Sequence, residues 1–256
     1  MFSKRSFTRI CVLLISLLFL LFGTAIAQTG KQTILLKASD NTKIEGIYYP
    51  IPNPEAPVVV LLPDTRCDKS IFSKFAAKLN EAGFAALAID FRYKKNVSAA
   101  RSREEAIATI KQQDLNALVT HDIKSAIEYL SQQKGIDPQR IGLVGTSLGA
   151  RAGLVSGVKY KVKALILVSL SGEEAIPGGD QIKALLEEYG MKPVLFMTSE
   201  KDWGGDYKAA EHNKLYFDWA KGAKELKIWP GSGHGIEILD RKEVTDFVLS
   251  WLKNNL

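Results

Sequence analysis

From residue 58 onward the chain alternates between short runs with few polar positions and longer stretches in which apolar residues recur every three or four. The short runs are Val58 to Leu62, Phe84 to Ile89, Ile141 to Val144, Ala164 to Val168, Pro193 to Thr198 and Glu225 to Trp229. A run such as Val58-Val59-Val60-Leu61-Leu62 has no polar face, as expected of a strand covered by helices on both sides. Between these runs, Ser70 to Ala82 carries Ile71, Phe75 and Leu79 at helical spacing and stops at Gly83. From Asp114 a second stripe holds Leu115, Leu118, Val119, Ile123, Ala126, Ile127 and Leu130, ended by Gly135 and Asp137-Pro138. Further helices are predicted over Ala150 to Ser156, Asp180 to Tyr189, Tyr207 to Ala220 and Arg241 to Leu252. Alternation of this kind predicts an α/β domain, a mostly parallel sheet with helices on both faces. Ahead of it, Gln32 to Lys37 and Lys43 to Tyr49 flank the turn-rich Ala38-Ser39-Asp40-Asn41-Thr42 and read as an antiparallel pair at a sheet edge. Pro50, Pro52, Pro54 and Pro57 punctuate a surface linker. Residues 92–113 have no clear period; they are basic at first and weakly helical from about Glu104.

The N-terminus follows a different pattern. Lys4, Arg5 and Arg9 precede an apolar run from Ile10 to Phe22, and Ala25-Ile26-Ala27 then offers a small-x-small exit. A basic head, a short apolar core and such an exit define a secretory signal peptide. Residues 1–27 are therefore read as a leader cleaved after Ala27, and residues 28–256 as a single domain delivered to the periplasm or the exterior. The run is short for a bilayer span, which needs about 20 apolar residues, so no stable span is expected after cleavage. An uncleaved anchor is the alternative.

Losing Lys4, Arg5 and Arg9 with the leader takes the formal net charge from +6 to +3. That is too mild to call for nucleic acid, and no basic cluster is interleaved with aromatics. Of the two cysteines, Cys11 lies in the leader and Cys67 in the domain, so no internal disulfide can form. One cysteine and scattered histidines also argue against a zinc site. No phosphate-binding glycine loop follows an early strand, so no cofactor is expected.

The chemistry centres on Ile141-Gly142-Leu143-Val144-Gly145-Thr146-Ser147-Leu148-Gly149. A Gly-x-Ser-x-Gly between a strand and a helix is the nucleophile-elbow pattern, with the serine at the tip of a sharply bent backbone. In a chain with 20 glycines the pattern alone is weak; its position carries the weight. Ser199-Glu200-Lys201-Asp202 follows the strand ending at Thr198, and Gly231-Ser232-Gly233-His234-Gly235 follows the strand ending at Trp229. In open sheets of this kind sites gather at the carboxyl ends of the strands. A serine hydroxyl needs a base to take its proton, and a histidine needs an acid to fix its tautomer. Ser147, Asp202 and His234 supply each group in the right type of place. Glu200 and Asp206 are rivals for the acid. His121 and His212 fall inside predicted helices and are poor candidates for the base; Ser232 has no elbow around it.

On Asp137-Pro138-Gln139-Arg140-Ile141 through Gly149, Ser199 to Asp202, and Gly233-His234-Gly235, the chain resembles the α/β-hydrolases, in particular the small members similar to dienelactone hydrolases and bacterial esterases. The resemblance implies an α/β-hydrolase fold and a triad in the order Ser147, Asp202, His234. Dienelactone hydrolases proper carry cysteine as nucleophile; serine here implies ester hydrolysis by a serine enzyme. Many relatives have His-Gly after the strand that here ends at Leu62, and this chain has Pro63-Asp64-Thr65-Arg66-Cys67-Asp68 instead. By position Thr65 supplies the second oxyanion donor, with the N–H of Leu148 as the first. A misplaced donor costs about 10²–10³ in rate. Asp64 must point away from an oxyanion, toward Arg66 or Arg92, and Cys67 is read as a small loop residue.

Ser169 to Lys192 has room for one short helix and no large lid domain, which predicts an open pocket. Arg92, Lys94, Lys95, Arg101 and Arg103 attract acidic substrates if their segment borders that pocket; otherwise they are a solvated surface. The expected protein is an exported carboxylesterase acting on a small ester or acyl substrate through an acyl-enzyme. A peptidase or amidase using the same triad, and a catalytically inactive binding protein of the same fold, are the alternatives.

Overall fold

The computed structural model describes residues 30–94, 101–102, 104–105, 108, 115–170, 181–202 and 208–256. The leader at 1–27, most of the basic segment at 95–113, Asp114, Asp180, Asp206 and Tyr207 lie outside the described residues.

The described strands form an eight-stranded sheet in the order β1-β2-β4-β3-β5-β6-β7-β8. β1 (Gln32–Lys37) and β2 (Lys43–Tyr49) pair antiparallel at the edge, as the turn between them predicts. β2 lies antiparallel to β4 (Ala85–Ile89), and from there every pairing is parallel. β3 (Ala56–Leu62), β5 (Ile136–Thr146), β6 (Ala164–Val168), β7 (Val194–Lys201) and β8 (Lys224–Ser232) complete it.

The period of two explains why these runs are apolar throughout. Val58, Val60 and Leu62 enter one core with Leu87, Leu165 and Phe196, while Val59 and Leu61 enter the other with Ala86, Ile166 and Leu195. Helices cover both faces. On the first lie α2 (residues 115–131), α3 (Leu148–Lys159), α4 (Gln181–Tyr189) and α5 (Ala209–Trp219). On the second lie α1 (Ser73–Glu81), the short α6 (Ile236–Leu239) and α7 (Lys242–Asn255). A fully buried Leu such as Leu61 or Leu79 contributes about 1.5–3 kcal/mol, so the core needs no disulfide.

The structure departs from the sequence reading in several places, beginning with β3, which starts at Ala56 and so takes Pro57 out of the linker. β5 begins at Ile136, not Ile141, because Ala56 pairs with Ile136 across a register shift; Pro138 is tolerated in that opening stretch. α2 is not uniform: Leu118–Ile123 forms a π-helical turn. Finally, β7 and β8 run on to Lys201 and Ser232, where those two residues pair beyond an irregularity at Ser199. The acid and histidine loops therefore leave from an extended ladder, not from Thr198 and Trp229. Among the described residues no helix is long and apolar enough to cross a membrane.

Candidate active site

The elbow is a steric construction. Ser147 takes φ 53° and ψ −114°, a backbone that side-chain-bearing residues rarely adopt. It is held there by its own N–H donating to the Val168 carbonyl at 2.8 Å. A β-carbon on Gly145 would overlap the Gly149 carbonyl, and one on Gly149 would overlap the carbonyl oxygens of Leu62 and Pro63. The glycines thus let α3 start directly against the end of β3. Ser147 is the N-cap of this twelve-residue helix, and its carbonyl accepts from the N–H groups of Ala150 and Arg151. The free N–H groups and the dipole of a helix start favour negative charge. Leu148, a predicted oxyanion donor, stands in that first turn.

The close approach at Gly149 brings the 63–68 turn to the same place. Asp64 builds the turn: its carboxylate accepts the Arg66 N–H at 3.1 Å and its carbonyl the Cys67 N–H at 3.4 Å. Thr65 sits half-buried at the tip. Asp64 turns one oxygen to the Arg66 backbone N–H and not to Arg92. That guanidinium grips Asp122 and Asp40 at 2.6 Å each. The other Asp64 oxygen lies 3.5 Å from where a β-carbon on Gly235 would stand, beside the histidine loop. Burial, followed by the Asp64 charge, pushes the Cys67 thiol up to about 12, which disfavours the thiolate that a cysteine nucleophile needs.

His234 and Asp202 meet. Nδ1 of His234 lies 2.6 Å from Oδ1 of Asp202, which is 1% exposed. Thr198 Oγ1 donates to the second Asp202 oxygen at 2.9 Å. Of its rivals, Glu200 is exposed and accepts the Gly231 N–H at 3.1 Å, and Asp206 lies outside the described residues. His121 contacts Ser39 at 2.6 Å, His212 stacks near Tyr216, and exposed Ser232 pairs with Lys201 and accepts from Arg241 at its carbonyl.

Sequence reasoning missed the residues that hold the histidine loop. Ser199 Oγ donates to the Gly233 carbonyl at 2.7 Å, and the Gly235 N–H donates to Ser169 Oγ at 2.9 Å. Arg241 donates to the carbonyls of Pro230 and Ser232, and Glu237 accepts the His234 N–H. The sequence places hydroxyl residues Thr146, Ser169, Thr198 and Ser199 at or just beyond the last apolar positions of β5, β6 and β7, but nothing in it says what they hold. Two of the basic residues are committed to ion pairs, and Arg101 is exposed. Arg92 is committed as above, and Lys94 pairs with Asp68 and Asp90; Lys95 and Arg103 lie outside the described residues.

A mostly parallel sheet with a strained serine between strand and helix, and an acid and a histidine paired at the same edge, defines an α/β-hydrolase. Comparison with known proteins carries this further. The dienelactone hydrolase family model matches residues 44–246. A probable 2-oxo-3-(5-oxofuran-2-ylidene)propanoate lactonase from Bradyrhizobium sp. is 24% identical over 204 residues, 75% of this chain and 78% of that protein. Among solved structures, a cold-adapted esterase from an Arctic intertidal metagenomic library superposes with a TM-score of 0.72 at 17% identity, covering 91% of this chain and 98% of that one. Dienelactone hydrolase from Anabaena variabilis gives 0.63 at 19%, covering 90% and 99%. The chain belongs to the dienelactone hydrolase family.

Proposed function

We propose that the protein is an exported serine carboxylesterase working through Ser147, His234 and Asp202. The observation that carries this reading is the 2.6 Å pairing of His234 Nδ1 with buried Asp202, at the edge where Ser147 stands on its elbow. Asp202 fixes the tautomer with the proton on Nδ1, which leaves Nε2 to act as base. Ser147 Oγ attacks the acyl carbon as its proton passes to His234. The N–H of Leu148, the start of α3 and an N–H at Thr65 stabilise the tetrahedral oxyanion. The imidazolium then protonates the departing alcohol, and water, deprotonated by the same histidine, releases the acid. A lactone is an internal ester open to the same steps, and the resemblance to the Bradyrhizobium lactonase supports cyclic as well as open-chain esters as substrates. Export rests on the leader read in residues 1–27.

Reaction with a fluorophosphonate probe tests the nucleophile. Wild type is expected to label and Ser147→Ala to remain unlabelled, with kcat on p-nitrophenyl acetate reduced by about 10⁶. Failure of wild type to label would overturn the catalytic reading. With p-nitrophenyl esters of rising acyl length, activity should favour short chains; activation only at a lipid interface would contradict the open pocket.

A further inference from the structure

We propose that Ser169 and Ser199 are positioning residues that bracket His234 and set where its imidazole stands against Ser147. The proposal rests on reading Ser147, His234 and Asp202 as the triad. The Gly233 carbonyl belongs to the peptide group immediately before His234, and the Gly235 N–H to the one immediately after it. Ser199 Oγ pins the first at 2.7 Å and Ser169 Oγ the second at 2.9 Å. With both flanking peptide planes tied, the direction of the His234 side chain is set from the backbone outward.

The segment needs such outside support. Gly233 and Gly235 take φ 138° and 54°, and glycine's lack of a β-carbon leaves many conformations open to each. The anchors themselves are rigid. Ser199 is 0% and Ser169 2% exposed; Ser199 lies within β7, paired with Trp229 of β8, and Ser169 directly follows β6. Ser169 holds φ 53°, an uncommon angle for a non-glycine residue, and its N–H donates to the Met197 carbonyl at 2.7 Å. A strained residue maintained in that conformation presents its hydroxyl as acceptor to one N–H, the one that follows the histidine. Both hydroxyls also satisfy backbone groups, and a merely structural role is the competing account. The two differ in what they predict for the imidazole.

Three variants separate them. Ser199→Ala removes the donor, and Ser199→Thr restores a hydroxyl at the same place. Ser169→Gly removes the acceptor while easing the positive φ, so lost rate cannot be charged to backbone strain. On p-nitrophenyl acetate each deletion is expected to lower kcat about tenfold, the scale of one hydrogen bond, with KM within about twofold. Ser199→Thr should recover most of the rate. Proton NMR supplies a signature independent of turnover: the downfield Nδ1–H resonance of His234, shared with Asp202 and assigned with His234→Gln, should broaden in both deletions. A lowered Tm with kcat and resonance unchanged in both would overturn the bracket. If wild type neither labels with fluorophosphonate nor hydrolyses esters, the triad reading falls, and the resonance still decides: broadened in the deletions supports the bracket, unchanged refutes it.

Discussion

The elbow and the histidine loop hold two groups of one site by opposite means. Ser147 and Gly235 have nearly the same backbone angles, φ 53° and 54° with ψ −114° in both. Around Ser147 the angles are enforced by crowding, since neither Gly145 nor Gly149 has room for a β-carbon. Around His234 the fit is looser: a β-carbon would come no nearer than 3.0 Å to the Arg241 side chain at Gly233 and 3.2 Å to Thr146 at Gly235, and the loop is tied by hydrogen bonds donated by Ser199 and Arg241 and accepted by Ser169 and Glu237. Crowding fails all at once, because displaced backbone has nowhere to go. Hydrogen bonds fail by degrees, because each is worth about 1 kcal/mol and the others remain.

The largest effect should therefore come from Gly149→Ala. Its methyl group would meet the carbonyls of Leu62 and Pro63, which are backbone at the end of a central strand and cannot swing aside. We expect a loss of roughly 3 kcal/mol, read as a fall in Tm of about 6–12 °C, together with loss of fluorophosphonate labelling. A variant that melts within two degrees of wild type and labels normally would break the contrast. Thr198→Val is next. It leaves one oxygen of buried Asp202 without its 2.9 Å donor while the His234 contact stays in place. kcat should fall about tenfold and Tm by ~2–4 °C for the loss of ~1 kcal/mol, measured by initial rates and thermal melts on the same preparation.

The same contrast explains what could be read in the sequence. The elbow was legible because crowding demands particular residues at fixed spacing, and Gly145-Thr146-Ser147-Leu148-Gly149 writes that demand into five consecutive letters. The strands followed from apolar runs such as Val58 to Leu62, whose burial on both faces leaves no polar position, while their order in the sheet came only from the structure. Asp202 and His234 were legible through chain order. The supports were not, because Ser169 and Ser199 lie 34 or more positions from the residues they hold, and serine is common in loops of every kind. Nor could the ends of β7 and β8 be seen: Lys201 and Ser232 are polar, and only their pairing makes them strand. The π-helical turn that seats Asp122 against Arg92 keeps a helical spacing of apolar residues, so periodicity passes over it.

The smallest effect is expected at the outer rim, and it sharpens the comparison most. Glu200 supports the histidine loop through the Gly231 N–H at 3.1 Å, but unlike Ser199 it is exposed. A hydrogen bond there competes with water at nearly equal strength, so its loss is worth a few tenths of a kcal/mol. Glu200→Ala should change kcat by less than about twofold and leave Tm within a degree. Glu200 is also the nearest described rival to Asp202, and an acid partner of the histidine would not be so mild: removing that role costs about 10⁴ in kcat. Steady-state rates of Glu200→Ala beside Asp202→Asn therefore separate two statements at once. A steep loss at Glu200 would move the acid off β7's buried face and dismantle the graded picture of the loop; a near-silent variant leaves the 2.6 Å pair as the one that orients the imidazole.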